Sequence, residues 1–242
     1  MTLFYPERVS SNQSGFLYQL LLRDHIKRYE FASKFVKNMK VLDIACGDGY
    51  GSLSLSKTAI NVVGVDISSQ AIELCRRRIR HKKVNFYQAN ATSLLNFSSG
   101  SFDSVVSFET IEHLSLLDAK KFLAEIKRVL KSSGKLFIST PDSRNASLGK
   151  KPANPYHVQE YSLNEFEELI SSYFEIKKIY GQDFVDKRQI DFIKSFTHGL
   201  LIKPIQISWR LYQKFYNSAG NISEVENENK IAWVNIIYAN KL

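Results

Sequence analysis

Cysteine is scarce in this 242-residue chain, which has only Cys46 and Cys75. Two thiols cannot make a disulfide framework, so stability must come from a hydrophobic core, and a reducing compartment is expected. No stretch approaches the roughly 20 consecutive apolar residues that span a bilayer. The opening Met1-Thr2-Leu3-Phe4-Tyr5-Pro6-Glu7-Arg8 lacks the charged and apolar regions of a signal peptide, which sets a cytoplasmic expectation. There is no internal repeat, and no basic-aromatic module of the kind that reads nucleic acid. Acid is in deficit: 24 Asp and Glu face 33 Lys and Arg, for a formal charge of +9. That imbalance favours an anionic partner, whether nucleic acid, phosphorylated sugar or membrane surface, without choosing among them.

What is present suits a single α/β domain. Hydrophobic residues make up 44% of the chain, and its length allows one sizeable core plus an insertion. Residues 1–39 read as an N-terminal cap, with apolar positions at helical spacing from Leu17 to Val36. From Lys40 to about residue 180, strands near 40–45, 61–65, 84–88, 103–108, 135–140 and 174–180 alternate with helices. That alternation predicts a mostly parallel, doubly wound sheet with helices on both faces. Asp118 is the expected cap of one helix, and Ser162-Leu163-Asn164-Glu165 has the spacing of a capping box. Residues 181–230 form an insertion, and 231–242 hold a last strand, Ile231 to Tyr238, expected to return antiparallel. Within the insertion, 190–216 mix apolar residues with Lys194, Lys203, Arg210 and Lys214, broken by Pro204. A helical lid, a peripheral membrane contact and self-association all remain open for it. The polar run Asn221 to Lys230 is expected to be a loop.

The most informative stretch is Val41-Leu42-Asp43-Ile44-Ala45-Cys46-Gly47-Asp48-Gly49-Tyr50-Gly51, a buried strand entering a glycine-rich turn that opens a helix. A second strand, Asn61 to Val65, ends in Asp66. Glycines let backbone approach a ligand, and an acid at the end of the next strand takes both hydroxyls of a ribose. A nicotinamide site shares this layout. Here, however, the glycines fall as Gly-x-Gly-x-Gly, and Asp43 lies four residues before the first of them. An acid beside that turn suits a cationic amino group, such as that of S-adenosylmethionine (SAM). Ile67, next to Asp66, could cover one face of an adenine.

A third cluster follows the fourth strand, in Phe108-Glu109-Thr110-Ile111-Glu112-His113-Leu114. Glu109, Glu112 and His113 are at i, i+3 and i+4, so a helical turn would put all three on one face. Side chains of this kind can take a proton from a bound hydroxyl, and His113 and His157 are the candidate bases, with Glu109 alongside. The run from Arg76 to Lys83 reads either as a solvated helix end or as an anion-binding patch.

The glycine-rich stretch resembles motif I of class I SAM-dependent methyltransferases, and the likeness covers roughly residues 20 to 180. It implies a Rossmann-like seven-stranded sheet and a SAM site built from Asp43, Ala45, Gly47, Gly49, Asp66, Ile67, Asn90, Ala91 and Ser107. The segment His25-Ile26-Lys27-Arg28-Tyr29-Glu30-Phe31-Ala32 resembles a bacterial subgroup linked to glycan biosynthesis. By that resemblance Arg28 would bind the SAM carboxylate, against the alternative of a solvated helix arginine. Family members commonly carry aspartate at the position of Asn90, where the side chain accepts from the adenine amino group; a loop-capping Asn90 is the alternative.

Glu-x-x-Glu-His also resembles quinone-pathway and small-RNA O-methyltransferases, in which such residues are associated with a divalent metal. Glu109, Glu112 and His113, with His157 from Asn154-Pro155-Tyr156-His157, would then hold Mg²⁺, Mn²⁺ or Zn²⁺. The metal-free alternative uses His157 or His113 as general base, and a third reading leaves His113 packing its helix. The leading expectation is O-methyl transfer to a sugar or lipid-linked glycan in the cytoplasm, with the inner membrane surface left open. An RNA or quinone-pathway O-methyltransferase is the rival, and a non-catalytic SAM-binding partner is a third.

Overall fold

A computed structural model describes residues 16–94, 96–147, 152, 154–188, 221–225 and 230–242. The expected lid at 190–216 lies outside these residues. In chain order the elements are α1 (Phe16–Ser33), β1 (Lys40–Ile44), α2 (Tyr50–Leu55), β2 (Asn61–Asp66), α3 (Ser69–Arg78), β3 (Val84–Gln88) and β4 (Phe102–Phe108). A 3₁₀ turn at Ile111–His113 precedes α4 (Leu116–Val129), β5 (Leu130–Pro141), α5 (Ser143–Ala146), α6 (Leu163–Ser171), β6 (Phe174–Asp186), β7 (Ile222–Glu224) and β8 (Lys230–Lys241).

The strands form one sheet in the order β3-β2-β1-β4-β5-β8-β6-β7. The first five are parallel, and β8 inserts antiparallel between β5 and β6. β1 and β4 are neighbours although β2 and β3 separate them in sequence, so the chain reverses direction across the sheet between them. In open α/β sheets a ligand crevice forms at such a point, outside the carboxyl ends of the strands.

Helices cover both faces, as the alternation predicts. One face buries Phe122, Leu123, Ile126 and Val129 of α4 with Phe166 and Ile170 of α6 against Leu42, Val105 and Ile138. The other buries Tyr29, Ala32 and Val36 with Leu55, Ile72 and Cys75 against Val41, Val62 and Val106. Each fully buried Phe or Leu contributes about 1.5–3 kcal/mol.

Three expectations need correction. The sheet has eight strands rather than seven, because β7, from within the expected polar loop, adds to the edge of β6 at Tyr180, Gly181 and Gln182. β6 runs to Asp186 rather than stopping near 180, since its register with β8 continues to Asp186 opposite Lys230. Gly181 permits this pairing: a side chain there would stand 2.7 Å from Cβ of Ala232 on β8. Finally, Ser115, not Asp118, caps α4; the Ser115 hydroxyl accepts from the Asp118 amide and donates to its carboxylate. The capping box at Ser162 and Glu165 is present. Among the described residues, no helix is long and apolar enough to cross a membrane.

Candidate functional site

The turn after β1 is built from backbone that most side chains disfavour. Ala45, Gly47 and Gly49 all have positive φ, at 58°, 54° and 78°. Glycine adopts this region freely, whereas alanine is strained there. The strain is held by neighbours: the Cys46 amide donates to Val65 O and the Gly49 amide to Cys46 O. Asp66, at the end of β2, accepts from the Gly47 amide through Oδ2 (3.0 Å) and from the Ser68 amide through Oδ1 (2.9 Å). Its carboxylate therefore fixes the turn on one side and the start of α3 on the other. Beside it Ile67 is 65% exposed, an uncovered apolar plate at the rim of the crevice.

Gly49 and Gly51 do different jobs. A Cβ on Gly49 would meet the Phe86 ring at 2.7 Å, so this position needs both the φ and the space. Gly51 answers to α1 instead, because a Cβ there would fall 2.2 Å from the Tyr29 ring. Tyr29 is packed edge-on against Phe108 and Tyr50. Its hydroxyl donates to Asp43 Oδ1 (3.0 Å), and Ser52 Oγ donates to Oδ2 (2.6 Å). Asp43 is fully buried. Burial pushes its carboxyl up to about 7, against the lowering effect of the Ser52 and Tyr29 hydrogen bonds, and the Asp66 charge adds to the rise. Both Asp43 oxygens are thus committed to α1 and α2, a use that the sequence pattern did not disclose.

Arg28 is not a solvated helix arginine. It is buried, its Nη1 donates to Gln182 Oε1 on β6, and its Nε lacks a hydrogen-bond partner. Gln182 in turn donates to Asp24 O. Asn90 follows its alternative reading: Oδ1 accepts from both the amide and the hydroxyl of Thr92 (2.9 Å each), so its acceptor caps a loop. Ala91 is partly buried beside it. Ser107 is fully buried and donates to Ile44 O (3.2 Å), joining the ends of β4 and β1.

The expected single face of Glu109, Glu112 and His113 does not form. Glu109 lies before the 3₁₀ turn in left-handed backbone (φ 54°), and its carboxylate accepts from Ser139 Oγ (2.8 Å). Glu112 points inward and is fully buried; Oε2 accepts from Thr140 (3.3 Å), and Oε1 has no partner. Burial first, then the Glu109 charge, hold the Glu112 carboxyl well above the usual range.

The structure does bring His113 and His157 together, with ring centroids 5.1 Å apart and edge-on. His113 Nδ1 lies 2.8 Å from Tyr156 O, which can only accept, so this nitrogen carries the proton and Nε2 is the acceptor of the ring. His157 sits between Glu160 at Nδ1 (2.7 Å) and the Asn154 amide at Nε2 (2.8 Å). Glu112, His113 and His157 each offer a ligand atom within 4.8 Å of the others, and Glu109 is not in that group. Sequence reading missed Tyr29, Ser52, Gln182, Thr140 and Glu160. Only Glu160 carried a local signal, three residues after His157.

Comparison with known proteins finds likenesses over the stretch that holds this crevice. Residues 42–138 match the family described as a methyltransferase domain. A probable S-adenosylmethionine-dependent methyltransferase of Mycobacterium tuberculosis is 37% identical over 131 residues, 54% of this chain and 46% of that protein. A ubiquinone biosynthesis O-methyltransferase of Pelagibacter ubique is 32% identical over 117 residues, 48% of each chain. The chain thus spans about half the length of these curated relatives. The crystal structure of a SAM-dependent methyltransferase from Methanosarcina mazei superposes with a TM-score of 0.58 at 22% identity, covering 88% of this chain and 97% of that one. The fold is the Rossmann-like fold seen in class I methyltransferases, and the chain's sequence is similar to those of SAM-dependent methyltransferases.

Proposed function

We propose that this chain is a SAM-dependent O-methyltransferase acting on a hydroxyl of a sugar or lipid-linked glycan. The observation that carries the cofactor reading is the Asp66 carboxylate at the end of β2, bonded to the left-handed turn and flanked by exposed Ile67. Asp66 would hold the two ribose hydroxyls and Ile67 would face the adenine, near Ala91. The backbone of Ala45, Gly47 and Gly49 would line the methionine part, with Ser107 beneath. Arg28 would reach the cofactor carboxylate through its unpartnered Nε. Bound SAM supplies a methyl group on a sulfonium, open to in-line attack by an oxygen.

The chain's own contribution is to align that oxygen and take its proton. His113 Nε2 is the proposed base, since Tyr156 O fixes the proton on Nδ1. The His157–Glu160 pair stands beside it, and Asn154 covers His157 Nε2. For the acceptor class, the net charge of +9 suits a phosphate-bearing glycan. Labelled-methyl transfer from SAM, screened against sugar nucleotides, lipid-linked glycans, small RNAs and catechols, tests the assignment. Transfer to a glycan, lost in His113→Ala, is expected. Tight NAD binding without SAM binding would overturn it.

A second reading is favoured by the Glu112, His113 and His157 cluster. These residues would suit a divalent metal, with the orphaned Glu112 Oε1 as one ligand and Glu160 orienting His157 from behind. This reading belongs with a quinone-pathway or RNA 2′-O-methyltransferase. Metal analysis of the purified chain, and activity before and after EDTA, separate the two. Full activity in metal-free protein excludes the metal.

A further inference from the structure

Arg28 is a buried cation answered by an amide rather than by an acid. It is 3% exposed, and among the described residues no carboxylate stands within ion-pair distance of its guanidinium. Asp24 lies one turn back on the same face of α1, but its carboxylate faces Arg23 Nε at 3.7 Å. A buried charge is costly unless an opposite charge meets it. What Arg28 has instead is Gln182, whose Oε1 accepts from Nη1 while its Nε2 donates to the Asp24 carbonyl (3.1 Å). These two bonds fix which end of the amide faces the arginine.

Strand register puts this pair at the crevice end of the sheet. Gln182 on β6 is opposite Val234 on β8, and Val234 is opposite Pro141 at the end of β5. Pro141 stands two residues beyond Ser139, the partner of Phe108 at the end of β4. Gln182 therefore lies in the row just past the carboxyl ends of the parallel strands, where α/β ligands bind. α1 passes the same end, since the ring of Tyr29, next in sequence to Arg28, packs on Phe108 with centroids 5.0 Å apart.

We propose that Gln182 is a positioning residue, which holds the Arg28 guanidinium in place and leaves its charge for the carboxylate of the cofactor. This rests on the cofactor reading above. An amide suits the task in a way that an acid does not. Its oxygen accepts from the guanidinium without neutralising it, so the unpartnered Nε keeps both a proton to donate and a charge to offer. A carboxylate at position 182 would form an internal ion pair and compete with the anion of the ligand. The crevice should therefore favour an adenosyl sulfonium that carries a carboxylate over one that lacks it, and Gln182 should set that preference through Arg28.

The test is calorimetry on the full chain with SAM and with decarboxylated SAM, which keeps the sulfonium and the amino group but lacks the carboxylate. The wild type should bind SAM about tenfold or more tightly than the decarboxylated compound. Gln182→Met, similar in shape but unable to hold Arg28, should weaken SAM about fivefold or more and leave the decarboxylated compound within about twofold. Gln182→Glu keeps an acceptor for Arg28 yet should weaken SAM further, again sparing the decarboxylated compound; it decides alone if the methionine variant does not fold. A general loss of stability weakens both ligands alike and so cannot imitate this pattern. Equal weakening of both ligands would make Gln182 merely structural and overturn the proposal, as would unchanged SAM affinity in the variants. A wild type that binds both ligands equally overturns the role of Arg28, and a chain that binds neither overturns the cofactor reading itself.

Discussion

Tyr29 on α1 and Asp43 on β1 share a hydrogen bond of 3.0 Å in a fully buried setting, and the absent side chain of Gly51 makes room for the tyrosine ring. The N-terminal helix is thereby fastened to the strand that opens the glycine-rich turn. Gly51→Ala would force its methyl into that ring, and overpacking of this kind costs about 1–3 kcal/mol. Urea denaturation should show that loss, and a smaller one when Tyr29→Ala is already present. Equal losses in both backgrounds would mean that the ring is not what Gly51 accommodates.

Asp43 should also make stability depend on pH. Burial pushes its folded-state carboxyl up to about 7, above the ordinary aspartate value of 3.8, so the folded chain binds this proton more tightly than the unfolded one. The contribution is complete below about pH 4 and fades as pH rises through about 7. Urea midpoints should fall between pH 5 and pH 8 in the wild type, and fall less steeply in Asp43→Asn. Parallel curves would remove Asp43 from the account.

Asp66→Ala should weaken SAM binding by about 100-fold or more, since two charge-assisted hydrogen bonds are worth about 1.5 kcal/mol or more each. The same change strips the partners from the Gly47 and Ser68 amides, so Asp66→Asn is the informative companion. It retains one acceptor and should bind more tightly than the alanine variant in calorimetry.

Far from the glycine turn, Asp142 is fully buried and accepts from Arg144 Nε and Nη2 and from Asn235 Nδ2 on β8. Asp142→Ala would leave these donors facing one another without their anion, a loss of about 3 kcal/mol or more. Thermal and urea unfolding check it. A change within experimental error would show that water replaces the carboxylate at no cost.

Local features could be read before the structure was known. The period of α4, the capping box at Ser162 and the strand-turn-acid pattern ending in Asp66 each depend on residues close in sequence. Asp66 and the turn stand together as expected, because β1 and β2 are adjacent parallel strands joined by one helix. Pairings across long separations could not be read. Gln182 reaches Arg28 over 154 positions, and β7 is defined only by its register with β6. Glu109 shows a subtler failure: its helical spacing to Glu112 is real, but positive φ at the strand end turns its side chain toward Ser139. The loop-capping reading of Asn90 needed only Thr92, two residues on, whose amide and hydroxyl donate to its oxygen.

β3 forms one margin of the sheet, and the outward carbonyl of Phe86 accepts from Arg76 Nε (2.9 Å), whose guanidinium also lies over the Tyr87 ring. An open margin can recruit the backbone of another molecule and seed fibrous assembly. Here an incoming strand would first have to dislodge a cation already bonded there. The basic end of α3 thus acts as a guard against edge-to-edge aggregation.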